Sequence, residues 1–306
     1  MDPLEDVLAF LDVRGYVSAG LAAGGDWAVR FAPPSGVKFN TVQRGRCFLT
    51  ADGADRVPLE EGDCFLLTRP VPFVLASSWE VTPVDAEPLF TAAGDTTAQV
   101  GDGDVVVLVG GGFSFGERAR TLLLDFLPPL IHVPAGTPQA GTVRWALAQI
   151  GSELRHRSPG SRLVAEHLAV VMLVHVLRLH LARESGSGSG WPAGLADPVV
   201  APALSAVHGR PAHPWTVAEL ADAARVSRST LAVRFKEVVG QPPLDYLTRW
   251  RIELASRDLR EGTEPLAAIA RRVGYGSESA LSTAFKRVTG VSPSDYRSER
   301  RSRRGA

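Results

Sequence analysis

Two thiols are the first residues in this chain whose type could do chemistry. Cys47 and Cys64 are its only cysteines, and each opens a short apolar run, CFLT (47–50) and CFLL (64–67). They read either as small apolar wall residues or as a redox switch in which oxidation of a thiol changes its surroundings. Arg46 is the adjacent cation for a thiolate, but neighbours on a strand point to opposite faces. Histidine comes next. None of the seven precedes His132, and His132, His156, His167, His175, His180, His208 and His213 lack metal-binding spacing. The imidazoles of a transition-metal site are therefore missing where a barrel would need them. Asp102 and Asp104 flank a glycine in a turn, which reads as a solvated turn. GGG at 110–112 lacks the Gly-Lys-Ser/Thr that completes a phosphate loop. The expectation is no catalytic set, no metal and no cofactor, hence no enzyme.

A different chemistry is written in a repeat. SRSTLAVRFKEVVGQPPLDY (227–246) and SESALSTAFKRVTGVSPSDY (277–296) are identical at ten of twenty positions under a shift of 50 residues. Two copies are too few for a solenoid, so a duplicated binding module is the better reading. Each copy reads as helix, tight turn, helix. In the first, Val217, Leu220, Ala221 and Ala224 form one apolar stripe, and Thr216 with Glu219 forms a capping box. Ser227 caps the next helix, whose stripe is Leu231, Phe235 and Val238. In the second, the stripe is Leu266, Ile269, Ala270 and Val273. Gly274 ends that helix, and Ser277 caps one carrying Leu281, Phe285 and Val288. Two helices joined this way place the second in a DNA major groove.

The elements that must position these residues fall into two parts. Residues up to about Val133 alternate short apolar runs with turn signals such as DG at 52–53 and 102–103, as strands do. Residues 139–157 and 161–184 read as helices. In the latter, Leu163, His167, Val170, Val171, Val174, Leu177 and Leu181 share one face. Together, 1–184 form the expected sensing domain, 185–195 its Gly/Ser-rich linker, 196–299 the DNA-binding domain and 300–306 a basic tail. The fold class is α+β multidomain. Charge divides similarly: residues 1–190 carry net −6 and 191–306 net +6, the latter from 18 Lys/Arg against 12 Asp/Glu. That asymmetry suggests that the second part meets a polyanion. The apolar run Leu168–Leu181 is broken by His175, Arg178 and His180 and reads as too short and polar to span a bilayer. No signal peptide is read at the N-terminus, and the expected setting is the cytoplasm.

The repeat and the joining RWRIELASRDL (249–259) resemble the AraC/XylS family of bacterial transcription regulators. GGDWAVRF (24–31), VQRGRCFLTADG (42–53) and PLEEGDCFLLTRPVPFVL (58–75) resemble the cupin-like barrel at the front of many such regulators. The resemblance implies two helix-turn-helix units bridged by one long helix, which residues 244–260 fit, with Leu247, Trp250, Leu254 and Leu259 facing the flanking units. It makes Ser229, Ala232 and Val233 the groove-facing positions of the first recognition helix. In the second they are Glu278, Ser279, Ser282 and Thr283. Arg228, Arg234, Lys236, Lys286 and Arg287 are then phosphate contacts, which position without reading sequence. Arg225 stands where the family usually has glycine and would have to adopt an unfavourable backbone angle. The implied partners are promoter DNA, a small effector in the barrel, RNA polymerase, and a second copy of the chain through the two long helices, with no membrane partner. The competing reading is a metal-free cupin isomerase or epimerase carrying a nucleic-acid-binding tail.

Overall fold

A computed structural model describes residues 2–53, 55–94, 97–116, 119–156, 158–183 and 190–304. The chain divides into two compact units, Leu11–Arg183 and a second that joins Glu184–Ala306 to Met1–Phe10. The first ten residues thus leave the unit to which the sequence reading gave them. Helix α1 (Pro3–Phe10) buries Leu4, Val7 and Phe10, and Phe10 packs its ring 5.7 Å from that of Trp250. An apolar face this short is stable only where a larger core completes it.

The Leu11–Arg183 unit is a barrel of two sheets. Its strands are β1 (Arg14–Val17), β2 (Leu21–Gly24), β3 (Ala28–Phe31), β4 (Val37–Arg44), β5 (Cys47–Ala51) and β6 (Val57–Leu59). They continue with β7 (Cys64–Leu67), β8 (Phe73–Ala76), β9 (Val84–Asp85), β10 (Ala98–Gly101), β11 (Val106–Ser114) and β12 (Leu130–Val133). One sheet runs β10-β2-β11-β4-β7-β12 with β1 added to β11; the other runs β6-β5-β8-β3-β9. Alternation decides what faces inward. On β4, Val42 belongs to the interior cluster, so Asn40 and Lys38 share its face, while Phe39 and Thr41 face the opposite way. Interior side chains such as Leu49, Phe65, Leu67, Leu75 and Leu108 fill most of the barrel.

Helix α2 (Ala86–Ala93) packs beside β10, and the short α3 (Ala119–Leu122) follows β11. Helices α4 (Gly141–His156) and α5 (Ser161–Arg183) pack on each other, and α5 also covers β1. Gly15 allows that close approach, since a Cβ there would lie 2.6 Å from the Glu166 carbonyl oxygen. The sequence reading of α5 needs two corrections. The helix has 23 residues, close to the 161–184 expected, and by length and composition alone is long and apolar enough to cross a bilayer, which the run Leu168–Leu181 within it was read as not being. Its buried face is Ala165, Ala169, Met172, Leu173, Val176 and Leu177, so of the expected stripe Leu177 is buried, Val170, Val174 and Leu181 are partly buried, and Leu163, His167 and Val171 are exposed. Ala165 and Ala169 on that face let the helix approach β1 closely at Gly15.

The second unit is helical: α6 (Trp191–Gly194), α7 (Val200–Gly209), α8 (Val217–Ala223), α9 (Arg228–Val239), α10 (Pro243–Glu261), α11 (Leu266–Arg272), α12 (Glu278–Thr289) and α13 (Pro293–Arg304). Most of the Gly/Ser stretch, 184–189, lies outside the described residues. Residues 300–304, expected in a tail, continue α13.

Candidate nucleic-acid interface and barrel interior

Each helix-turn-helix unit is built from matching parts. Thr216 and Glu219 form the reciprocal capping box at the start of α8. Ser227 Oγ accepts the Thr230 N–H at 3.1 Å, and Ser277 Oγ accepts the Ala280 N–H at 3.1 Å. Gly240 and Gly290 close α9 and α12 in the left-handed conformation, φ 82° and 83°. In the first turn Arg225 adopts φ 55°, the strained angle its side chain implied. Its counterpart Gly274 has φ 89°, and a Cβ there would lie 2.6 Å from the Ala212 carbonyl oxygen. Sterics at Ala212 therefore demand glycine in one turn, whereas the other tolerates arginine at the cost of the backbone angle.

Leu231 and Phe235 of α9, like Leu281 and Phe285 of α12, are fully buried. Burying one face fixes the other. Ser229, Ala232, Val233 and Lys236 run at i, i+3, i+4, i+7 along the outer face of α9, with Val233 59% exposed. Ser279, Ser282, Thr283 and Lys286 run identically along α12. Ser227, Arg228, Ser277 and Glu278 are exposed at the two N-termini, where backbone N–H groups favour phosphate. The bridge α10 buries Tyr246, Leu247, Trp250, Ile252, Ala255 and Leu259, and Leu254 packs partly buried against the second unit's core.

Not every candidate cation faces outward. Arg234 Nε and a terminal nitrogen both reach Asp197 Oδ2 at 2.8 Å, so this arginine is held by its own protein rather than free for phosphate. Asp197 also accepts the Val199 and Val200 N–H groups at 2.9 Å each. Burial alone would raise its pKa, but those N–H groups and Arg234 outweigh it and hold the carboxyl below its usual value. Asp197 was missed in the sequence, where an isolated aspartate before an apolar helix looks like an ordinary cap. Arg228, Lys236, Lys286 and Arg287 carry no ion pair among the described residues.

Behind α9, His208 lies 2% exposed between α1, α7 and α10. Its Nε2 meets Tyr246 Oη at 2.7 Å, its ring packs 4.3 Å from Trp250, and its Nδ1 is 3.6 Å from Asp6 Oδ2, beyond hydrogen-bond reach. Burial pushes His208 down to about 3 and raises Asp6, so the cluster favours neutral groups.

In the barrel, Cys47 belongs to the interior cluster, whereas Cys64 sits on the face of β7 opposite Phe65 and Leu67. The two thiols are free and each is 1% exposed. Burial, then the charge of Asp63, pushes both up to about 12. Asp63 binds His132 Nε2 at 2.9 Å and the Ala135 N–H at 2.7 Å, which ties β12 to the turn before β7. Among the described residues no group of three or more His, Cys, Asp or Glu could hold a metal. A cleft of about 540 Å³ at one rim is lined by Trp27, Arg46, Glu60, Glu61 and Ser77 among others.

A cupin family model matches residues 2–182, and a helix-turn-helix domain model matches 220–299. A putative AraC-like transcription regulator of Streptomyces lividans is 64% identical over 298 residues, covering 97% of this chain and 98% of that one. One from Streptomyces antibioticus is 63% identical, with the same coverage. The chain belongs to the AraC-like transcription regulators. A more distant similarity, 36% over 179 residues and 58% of each chain, is to the regulator AlkR of Acinetobacter baylyi. This regulator therefore pairs a cupin barrel with a helix-turn-helix DNA-binding domain.

Proposed function

We propose that this regulator binds promoter DNA as a homodimer and that its barrel converts a small organic effector into a change of DNA binding. The observation that carries the reading is the pair of outer stripes, Ser229-Ala232-Val233-Lys236 and Ser279-Ser282-Thr283-Lys286, which repeat at the same register on two capped helices. In this reading, short side chains make close groove contact. Arg228, Lys236, Lys286 and Arg287 meet phosphates. Trp145, Leu163, Val164 and Val171, 40–60% exposed on α4 and α5, support a two-fold contact between copies. Work at a promoter puts the chain in the cytoplasm, with RNA polymerase as its neighbour.

An organic effector is favoured over redox sensing because both thiols are buried, lie on different sheets with only Cys47 in the interior cluster, and hold their protons at neutral pH. Regulation rather than isomerase turnover fits the relatives, and a turnover screen on the full chain tests that choice. The deciding experiment maps protection of the DNA upstream of the chain's own coding region, with and without candidate metabolites. Two protected major-groove segments per copy, lost when Lys236 and Lys286 are both replaced by alanine, are expected. Protection that survives the double replacement unchanged overturns the assigned interface. An oxidant response that disappears in a Cys47→Ala/Cys64→Ala variant, with no metabolite effect, replaces the effector by a redox switch.

A further inference from the structure

The glycine run 110–112, which belongs to no phosphate loop, lies in β11 beside β4. Gly110 pairs with Asn40 and Gly112 with Lys38. Because Lys38 and Asn40 share the inward face of Val42, Gly110 and Gly112 leave them room inside the barrel. A Cβ on Gly110 would strike Asn40 Oδ1 and lie 3.1 Å from Lys38 Nζ, and a Cβ on Gly112 would strike the Tyr16 hydroxyl. Alternate residues on a strand are about 7 Å apart, so the ammonium, the amide and the phenol all lie within reach of one small group.

This polar set is incompletely satisfied. Lys38 Nζ donates to Ser18 Oγ at 3.1 Å. Among the described residues that is its one hydrogen bond, and no carboxylate lies within ion-pair distance. Asn40 is 6% exposed, and its Nδ2 is buried with no partner among the described residues. A buried donor without a partner and a cation without a counterion both cost stability, and a bound anion would remove both costs. Burial lowers Lys38 to about 8, which leaves it mainly protonated at neutral pH. Beside them on β7 lie Phe65, paired with Asn40, and Leu67, paired with Lys38, so the neighbouring strand presents apolar side chains to the same interior.

We propose that this end of the barrel is a carboxylate-binding site for an effector with an apolar body, in which Lys38 Nζ pairs with the carboxylate and Asn40 Nδ2 and Tyr16 Oη donate to it. The proposal rests on the reading that the barrel takes an effector. One ammonium matches one carboxylate charge. A phosphate, nearer two charges, would leave one uncompensated in the interior. The rim cleft is the weaker candidate, since its carboxylates Glu60 and Glu61 would repel such a ligand.

The test uses the full chain, with octanoate and benzoate as probes against octanamide, benzyl alcohol and inorganic phosphate. Calorimetric titration reads binding, and fluorescence anisotropy reads affinity for the upstream DNA. Octanoate or benzoate is expected to bind and to shift DNA affinity, while the neutral analogues and phosphate do neither. Lys38→Met should weaken carboxylate binding tenfold or more and raise the melting temperature of the free protein, because it removes an unpaired buried cation. Asn40→Asp keeps the volume and supplies Lys38 with an internal counterion. It should abolish carboxylate binding in a chain that melts no lower than the native one, which covers the case of a poorly folding Lys38 variant. Carboxylate affinity that is the same in both variants as in the native chain overturns the site, as does phosphate binding in place of the carboxylates. If octanamide or benzyl alcohol shifts DNA affinity and the carboxylates do not, the charge assignment falls and the effector reading stands. If no probe binds or shifts DNA affinity, both fall.

Discussion

Acid should loosen the DNA-binding unit through one residue, His208. Its folded pKa is about 3, against about 6.5 for an exposed imidazole. A group whose folded pKa is depressed contributes stability above its unfolded pKa and loses it as pH falls toward the folded value. Between those limits each pH unit costs about 1.4 kcal/mol, so moving from pH 7 to pH 5 removes roughly 2 kcal/mol. The groups facing His208 are Tyr246, Trp250, Trp191 and Asp6. Of these Asp6 titrates nearest the window. Burial raises it, so its contribution has the opposite sign, and it is present in any His208 variant. The assay is denaturant unfolding followed by tryptophan fluorescence at pH 7 and pH 5, in the native chain and in His208→Gln. Taking the pH difference within each protein cancels the cost of the substitution itself. The native chain should lose roughly 2 kcal/mol more than the variant. Equal losses would refute the reasoning and show that His208 gains a proton as an exposed histidine does, paired with Asp6.

Three further outcomes follow from the packing. Phe285→Ala, which empties a fully buried aromatic site, should cost about 3–5 kcal/mol, while Ser277→Ala, which removes one cap, should cost about 0.5–2 kcal/mol. Equal melting temperatures for the two would contradict the placement of α12. Asp197→Ala should destabilise by about 1–3 kcal/mol and free Arg234, because two buried N–H groups and the guanidinium lose their acceptor. Its effect should shrink as pH falls below about 4, the ordinary aspartate value, toward the lower pKa of the native carboxyl. Lys236→Ala and Lys286→Ala should each weaken DNA binding to a similar degree across sequences and reduce the salt slope by about 1, measured by anisotropy between low and moderate salt. A change confined to one DNA sequence would instead make that lysine a base contact.

The helical half was largely legible in the sequence because its signals are local. A Ser or Thr before an apolar stripe, a glycine at the far end and a repeat at fixed spacing involve contacts within one or two turns. They placed Ser227, Ser277 and Gly274 without any tertiary information. The outer faces of α9 and α12 followed, since fixing the buried Leu-Phe stripe fixes its opposite. Arg225 showed its strain in advance for the same reason.

What the tertiary structure alone decided depends on residues far apart in the chain. Arg234 looked like any surface cation until Asp197, 37 residues earlier, was found holding it. The spacing on α5 put seven residues on one face but could not tell which apolar face is buried, and contact with β1 selects the one carrying Ala165 and Ala169. Helix α1 carries no mark of the partner its face needs, because Trp250 is 240 residues away. In the barrel, alternation told that Cys47 and Phe48 face opposite ways but not which way was in. The glycines at 110 and 112 likewise meant nothing until strand register set them against Asn40 and Lys38. Period-two patterns fix relative faces, and the absolute direction comes from which other strands pair across the chain.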